Sequence, residues 1–278
     1  MLDGVVYVAP EGYEEELARE LGSDASRLSH SLFFAPGPRR RIAWAANVWL
    51  DPVEIPLDAL AGLGVNLHEL GAPSREPALG FPPRMPREPI GAWALIRPNT
   101  IIAATRTSRP FAQGAPHFLG DKKGPPSRAY FKLWEALTLM GRWPRAGERC
   151  VDLGSSPGGW TWALERLGAH VLSVDKAPLD PRVAKLRRVE FRRMSAFALD
   201  PASVPRVDWV VSDVICYPTR TVALVERWLR AHPRARFVVT VKFQGETDMS
   251  SLEPLREIPG SELLHLHYNK HELTWLKA

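Results

Sequence analysis

VDLGSSPGGW, residues 151–160, is the stretch from which the fold can be read. An apolar run (RCVDLG, 149–154) enters a glycine-rich turn, and GGWTWALERLGA (158–169) continues it with helical spacing. Strand, tight turn and helix in that order form the first unit of an open α/β sheet. Downstream, HVLSVD (170–175), RVEFRRM (188–194), VDWVVSD (207–213) and RFVVTVKF (236–243) are expected strands, and RTVALVERWLRAH (220–232) and SSLEPLREI (250–258) expected helices. ELLHLHY (262–268) and ELTWLKA (272–278) are expected to close the chain as a hairpin around Asn269–Lys270. Upstream, SRAYFKLWEALTLMG (127–141) carries Tyr130, Leu133, Leu137 and Met140 on one helical stripe. Strand–helix alternation with near-continuous apolar strands predicts a doubly wound, mostly parallel sheet with helices on both faces. The final pair of strands predicts an antiparallel edge.

Three chemistries compete for the glycine turn. A dinucleotide loop needs G-x-G-x-x-G so that pyrophosphate can approach the backbone, but Ser156 stands where the second glycine would be. A phosphate loop needs G-x-x-x-x-G-K-[ST]. Gly154 and Gly159 have that spacing, but Trp160 replaces the lysine. What remains is a loop on which a ligand without phosphates lies against the backbone. Asp175 ends the next strand, 21 residues after Gly154, where an acid meets ribose hydroxyls. A nucleoside without phosphates describes S-adenosylmethionine. The alternative is an ordinary βα turn with glycines for packing.

Outward from this core, the first 120 residues read as a small α+β domain. GVVYV (4–8) is an expected strand, EGYEEELARELG (11–22) an amphipathic helix ended by Gly22, and LDALAGLG (57–64) a short helix. SLFFA (31–35) and RIAWAANVWL (41–50) are expected strands, and AWALIRP and TIIAATRT pair across Pro98–Asn99. Proline clusters in residues 71–91, which is expected to be a linker or long loop, and 106–128 is a second irregular stretch.

Composition narrows the class. Of 278 residues, 45% are hydrophobic and 24% charged, near the globular average of about 45–50% and 25%. No segment approaches the roughly 18–20 apolar residues of a membrane span, and the N-terminus lacks the basic and apolar regions of a secretory signal. Two cysteines, Cys150 and Cys216, exclude a disulfide scaffold and a four-cysteine zinc site and fit a cytoplasmic setting. The net charge of +5 divides into −2 over residues 1–120 and +7 over 121–278, and arginine supplies 28 of 36 cations. Arginine's planar fork suits a polyanion such as RNA, although solvated charge is the plainer account of composition alone.

VDLGSSPGGWTWAL resembles the first motif of the FtsJ-type RNA ribose 2'-O-methyltransferases, and SRAYFKL (127–133) resembles that family's opening helix. SDV (212–214), VVTVKF (238–243) and HELTWL (271–276) follow in the family's order. The resemblance implies a Rossmann-like class I methyltransferase fold: a doubly wound, mostly parallel seven-stranded sheet with one antiparallel strand, over residues 121–278. It implies S-adenosylmethionine as cofactor, no metal, and a catalytic Lys-Asp-Lys-Glu set falling on Lys132, Asp213, Lys242 and Glu272. It implies cofactor contacts from Ser127, Gly154, Ser155, Ser156, Pro157, Gly158, Gly159, Trp160, Asp175, Ser195 and Asp213. Ser195 replaces an acid usual in the adenine pocket. Residues 6–22 and 98–137 further resemble a bacterial branch that methylates a cytidine 2'-hydroxyl in large-subunit ribosomal RNA. There a THUMP-containing region precedes the methyltransferase domain. Residues 1–120 are shorter than that region and are expected to be an RNA-binding domain, THUMP-like or a reduced form.

In this chemistry a lysine acts as base when burial or neighbouring cations favour its neutral form. Lys242 is the expected base and Asp213 its orienting partner. Lys132 is expected to steer the ribose, and Glu272 to hold the substrate hydroxyl or a lysine. Ser127 has a second reading as a helix N-cap. His117, His265 and His267 invite a metal, and HLH alternates on one strand face, but strand-face histidines are the preferred reading. Cys216 reads as a loop or core thiol, and Trp160 and Trp162 as core packing. The basic runs 121–123 and 185–193 could grip phosphates at the sheet rim. Two alternatives stand beside the RNA methyltransferase: a catalytically silent RNA-binding protein of the same fold, and a methyltransferase for a non-RNA substrate. The second gives no reason for two lysines.

Overall fold

The computed structural model describes residues 2–58, 78–85, 91–111 and 114–278. The chain divides into two compact units, Met1–Leu119 and Gly120–Ala278. The expected helix over 57–64 beyond Asp58, and most of the proline-rich 71–91, lie outside the described residues.

The first unit is built from antiparallel strands: β1 (Gly4–Val8), β2 (Ser26–Arg27), β3 (Leu32–Pro36), β4 (Asn47–Leu50), β5 (Val53–Pro56), β6 (Ala92–Arg97), β7 (Thr100–Ala104) and β8 (Arg106–Thr107), with helix α1 (Glu14–Leu21) after β1. One sheet runs β2-β3-β1-β4-β8 and the other β5-β7-β6. Val6, Val8, Leu32, Trp49, Ile102 and Ala104 form a core cluster. Leu17 and Leu21 give α1 its buried stripe, and Gly22 ends it at φ +84°. Only Asn47–Leu50 of the expected strand 41–50 is extended. The N–H groups of Ala43 and Trp44 donate instead to the Glu20 carboxylate at 3.0 and 2.9 Å, which takes that backbone out of any ladder. Arg106–Thr107, expected both to end the strand TIIAATRT and to open the irregular 106–128, forms a separate short strand on β4.

The second unit runs α2 (Tyr130–Leu139), β9 (Arg149–Leu153), α3 (Gly159–Arg166), β10 (His170–Asp175), α4 (Pro181–Ala184), β11 (Val189–Arg193), β12 (Trp209–Ser212), α5 (Pro218–Ala231), β13 (Arg236–Lys242), α6 (Glu253–Arg256), β14 (Ser261–Leu264) and β15 (Glu272–Lys277). The sheet order is β11-β10-β9-β12-β13-β15-β14. All pairs are parallel except those that β15 makes. This is the Rossmann-like, seven-stranded architecture expected. The order reverses between β9 and β12, so right-handed crossovers put α3 and α5 on opposite faces. In open sheets of this order, ligands bind beyond the carboxyl ends of the two strands at the reversal.

The closing hairpin differs from expectation in two ways. The antiparallel strand is β15, and it sits between β13 and β14 rather than at the edge. Its first five residues are all buried, whereas β14 alternates buried and exposed positions as an edge strand does. The strand expected over 262–268 stops at Leu264. The Glu135 carboxylate accepts the N–H groups of His267 at 2.8 Å and Tyr268 at 3.1 Å, drawing that backbone into a loop. His265 and His267 therefore do not share a strand face.

Candidate active site

Four charged side chains meet beyond the carboxyl ends of β12 and β13. Lys242 is the last residue of β13 and Glu272 the first of β15, and the two are direct cross-strand partners. Asp213 follows β12, and Lys132 reaches in from the first turn of α2. Lys132 Nζ lies 2.5 Å from Glu272 Oε1 and 3.1 Å from Asp213 Oδ1. Lys242 Nζ lies 3.1 Å from the same Asp213 oxygen and 3.9 Å from Glu272 Oε2. The four residues assigned by motif thus form a ring in which positive and negative charges alternate.

The two lysines are not equivalent. The Lys132 side chain is 8% exposed and tightly held by both carboxylates, whereas that of Lys242 is 19% exposed and holds one of them loosely. A buried ammonium is tolerated only when paired. Lys132 is therefore held in place from two sides, and Lys242 is the more accessible of the two. Glu272 is positioned from behind. Its Oε1 accepts the Lys270 N–H at 3.3 Å, and Asn269 Nδ2 donates to its carbonyl at 3.1 Å. Glu135, fully buried one turn after Lys132, anchors the preceding loop, and Tyr268 stacks on Phe131 with centroids 5.1 Å apart. Glu135 and Asn269 are positioning residues that the motifs do not mark. The only sign of Glu135 is an acid inside an apolar helix.

Beside this ring lies the glycine turn. Gly154 (φ +80°) and Gly158 (φ +111°) take left-handed conformations that favour glycine. A Cβ on Gly154 would fall 2.8 Å from Val214 Cα, so the turn and the residue after Asp213 are in close backbone contact. Gly154→Ala is therefore expected to cost about 2 kcal/mol from the backbone conformation alone. In a thermal melt that is a fall of about 4–8 °C, with weakened S-adenosylmethionine binding by calorimetry. An unchanged melting point and affinity would show that the contact is slack.

Asp175 ends β10 and binds the turn, accepting Ser156 N–H at 3.0 Å and Ala177 N–H at 2.9 Å. Each of its oxygens keeps a lone pair for a hydroxyl. The Ser156 hydroxyl donates to Pro178 O at 2.8 Å, and Pro157 O accepts the Asp180 N–H, so these two brace the loop. The Trp160 indole is buried and donates to Ala129 O at 2.8 Å, and Trp162 is buried as well. Core packing is the role of both rings. Ser195 follows β11, and its Oγ accepts the Phe197 N–H at 3.3 Å. Ser127 is not a helix cap: Ala129 stands at the N-cap of α2 without a side-chain bond. The hydroxyls of Ser127 and Ser155 are instead buried without a partner beside the turn, and a Cβ on Gly159 would fall 2.5 Å from Ser127 Oγ. Two unpartnered hydroxyls, a side-chain-free cradle and an acid at the next strand end fit S-adenosylmethionine.

Asp152 lies beneath the turn and was not singled out by sequence. Burial pushes its carboxyl up to about 7, against the donated bond from Thr161 Oγ1 (2.7 Å), with Asp213 and Asp175 adding to the rise. Thr161 Oγ1 also meets Ser173 Oγ at 2.6 Å. Unfolded, an aspartate ionises near 4. Between about pH 4 and 7 the folded chain keeps a proton that the unfolded chain releases, so this group's contribution to stability declines as pH rises through that window. Asp152→Asn is expected to gain on the natural chain at pH 8 relative to pH 5 in urea midpoints. A difference independent of pH would contradict that.

Cys216 is buried, its Sγ 3.1 Å from Thr221 Oγ1, and burial raises its thiol. It is a packed thiol, not a nucleophile. Among the described residues no group of three His, Cys, Asp or Glu side chains is placed to hold a metal, and no helix is long and apolar enough to cross a membrane.

The sheet order, the glycine turn and the acid at the end of β10 define a class I methyltransferase domain. Residues 125–254 match the sequence model of the FtsJ-like methyltransferases. The curated relatives include ribosomal RNA large subunit methyltransferase M of Aromatoleum aromaticum, 34% identical over 164 residues, covering 53% of this chain and 44% of that protein. The protein of the same name from Alkalilimnicola ehrlichii is 40% identical over 134 residues, covering 46% and 36%. That from Azoarcus sp. is 33% identical over 191 residues, covering 62% and 52%. The chain spans about half the length of the curated relatives it matches.

Proposed function

We propose that this chain is an S-adenosylmethionine-dependent RNA ribose 2'-O-methyltransferase acting in the cytoplasm on ribosomal RNA of the large subunit. The observation that carries the proposal is the alternating ring of Lys132, Asp213, Lys242 and Glu272 beside the glycine turn. The names of the curated relatives support the ribosomal substrate.

S-adenosylmethionine, when bound, supplies an electrophilic methyl group, so the protein's task is alignment and removal of one proton. Lys242 would take the proton of the ribose 2'-hydroxyl as that oxygen bonds the methyl carbon and the carbon–sulfur bond of the sulfonium breaks, leaving a neutral thioether. Asp213 holds Lys242 Nζ in place and then balances the ammonium that results. Lys132, fixed by two carboxylates, steers the 2'-oxygen, and Glu272 keeps Lys132 from turning away. Asp175 takes the cofactor's ribose hydroxyls. Ser127 and Ser155, whose hydroxyls are unpartnered, would hold its polar groups at the turn, and Ser195 with Phe197 would border its adenine. Residues 1–119 supply a further RNA contact. The exposed Trp93 and Leu95 alternate along β6 with Ala92, Ala94 and Ile96 turned the other way, which suits base stacking.

The test is transfer of labelled methyl from S-adenosylmethionine to ribosomal RNA that lacks the modification. Incorporation into large-subunit RNA is the expected result. Cofactor binding with transfer only to protein or small molecules would overturn the RNA assignment. Absence of both cofactor binding and transfer would favour a silent RNA-binding protein.

A further inference from the structure

The segment between β12 and α5 is held from one side only. Ser212 Oγ donates to Leu153 O at 2.9 Å, and Val214 lies against Gly154. Cys216 is buried against Thr221, and Pro218 is buried in the first turn of α5. With alternate residues fixed inward, Ile215 and Tyr217 are presented outward, 76% and 60% exposed. Among the described residues of this unit they are the only large apolar side chains so exposed. One turn into α5, Arg220 is exposed, its guanidinium 4.2 Å from the Phe197 ring centroid, with no carboxylate partner among the described residues.

We propose that Ile215 and Tyr217 form a stacking platform for a nucleobase of single-stranded RNA, with Arg220 taking an adjacent phosphate. The proposal rests on the RNA reading above and assigns to it a substrate contact outside the charged ring. Its chemistry follows from the pattern. A flat apolar side chain beside a guanidinium with no carboxylate partner among the described residues matches the alternation of base and phosphate along a single strand. Two side chains are too small a patch for a stable protein interface, which buries about 800 Å² on each partner. Their place within four residues of Asp213 puts a stacked base next to the ribose to be methylated. The anchored backbone also means that little ordering remains to be done on binding.

The test uses the full chain and a short single-stranded RNA labelled at one end, read by fluorescence anisotropy. A matched oligonucleotide carries abasic sugars in place of nucleosides. The double variant Ile215→Ala/Tyr217→Ala is expected to bind the intact RNA about tenfold more weakly or worse, and Tyr217→Phe to stay within about twofold of the natural chain. All three are expected to bind the abasic strand alike. Equal binding of the intact RNA by the double variant would overturn the platform. So would an equal loss on the abasic strand, or failure of the natural chain to bind RNA. Both positions are exposed, so the fold is expected to survive, and circular dichroism checks this. Base-dependent binding without methyl transfer would leave the platform standing and remove the proposed activity. Transfer whose KM for RNA ignores the double variant would do the reverse.

Discussion

Lys242→Ala is expected to lower kcat for methyl transfer by about 100- to 10,000-fold, the usual worth of a positioned base, with little change in S-adenosylmethionine affinity. The split between the two readouts follows from the geometry. Lys242 lies at the end of β13, and the ion pairs of its Nζ are with Asp213 and Glu272, not with the glycine turn. Removing it empties the place where the 2'-hydroxyl proton would go. It leaves Lys132 Nζ at 3.1 Å from Asp213 and 2.5 Å from Glu272, so the remaining charges stay paired. Stability is therefore expected to change little. A variant with undiminished kcat would show that the proton leaves by another route. Parallel losses of affinity and melting temperature would show that Lys242 is a structural residue.

Lys132→Ala is expected to act on folding as well as on catalysis. Its side chain is 8% exposed and holds two carboxylates, one of them the buried Glu272 at 2.5 Å. Truncation leaves Glu272 Oε1 only the Lys270 N–H at 3.3 Å, and the carboxylate its looser ion pair with Lys242 at 3.9 Å. Breaking a buried pair from one side costs about 3–5 kcal/mol, which for a chain of this size is a fall of about 10 °C in Tm. Lys132→Arg keeps the charge with a different shape and is expected to recover more of the stability than of the activity, because a planar fork does not replace a point charge. If Lys132→Ala melted with the natural chain, the ring would be a loose surface arrangement. The contrast between the two lysine variants separates the fixed cation from the working base.

Much of this was legible in the residues. The central strands announced themselves because parallel strands covered on both faces are continuous apolar runs, as in WVVS and RFVVTVK. The glycine turn was legible because its backbone requirements leave few residue choices. The four charged residues were legible only as a set, since each alone is an ordinary lysine or acid. What sequence does not encode locally is partnership across the chain. Nothing in 41–46 signals that Glu20 takes its N–H groups. Nothing in 265–268 signals that Glu135 turns the strand into a loop. The interior position of β15 was hidden, since Glu272-Leu273-Thr274-Trp275 alternates polar and apolar residues as an edge strand does, yet all four are buried. The roles of Trp160 and Ser156 were obscured by their motif. It marks a cofactor loop without saying which side chains hold the loop and which face the ligand.

The most direct measurement is the position of the transferred methyl group. RNA labelled by the chain from S-adenosylmethionine would be hydrolysed in alkali, which cleaves through the free 2'-hydroxyl and spares a bond whose 2'-oxygen carries a methyl. Label recovered in alkali-resistant dinucleotides, and absent when Lys242→Ala is used, is the result predicted by Lys242 as base. Label recovered in mononucleotides would place the methyl on a base and contradict the ribose chemistry on which the proposed function rests.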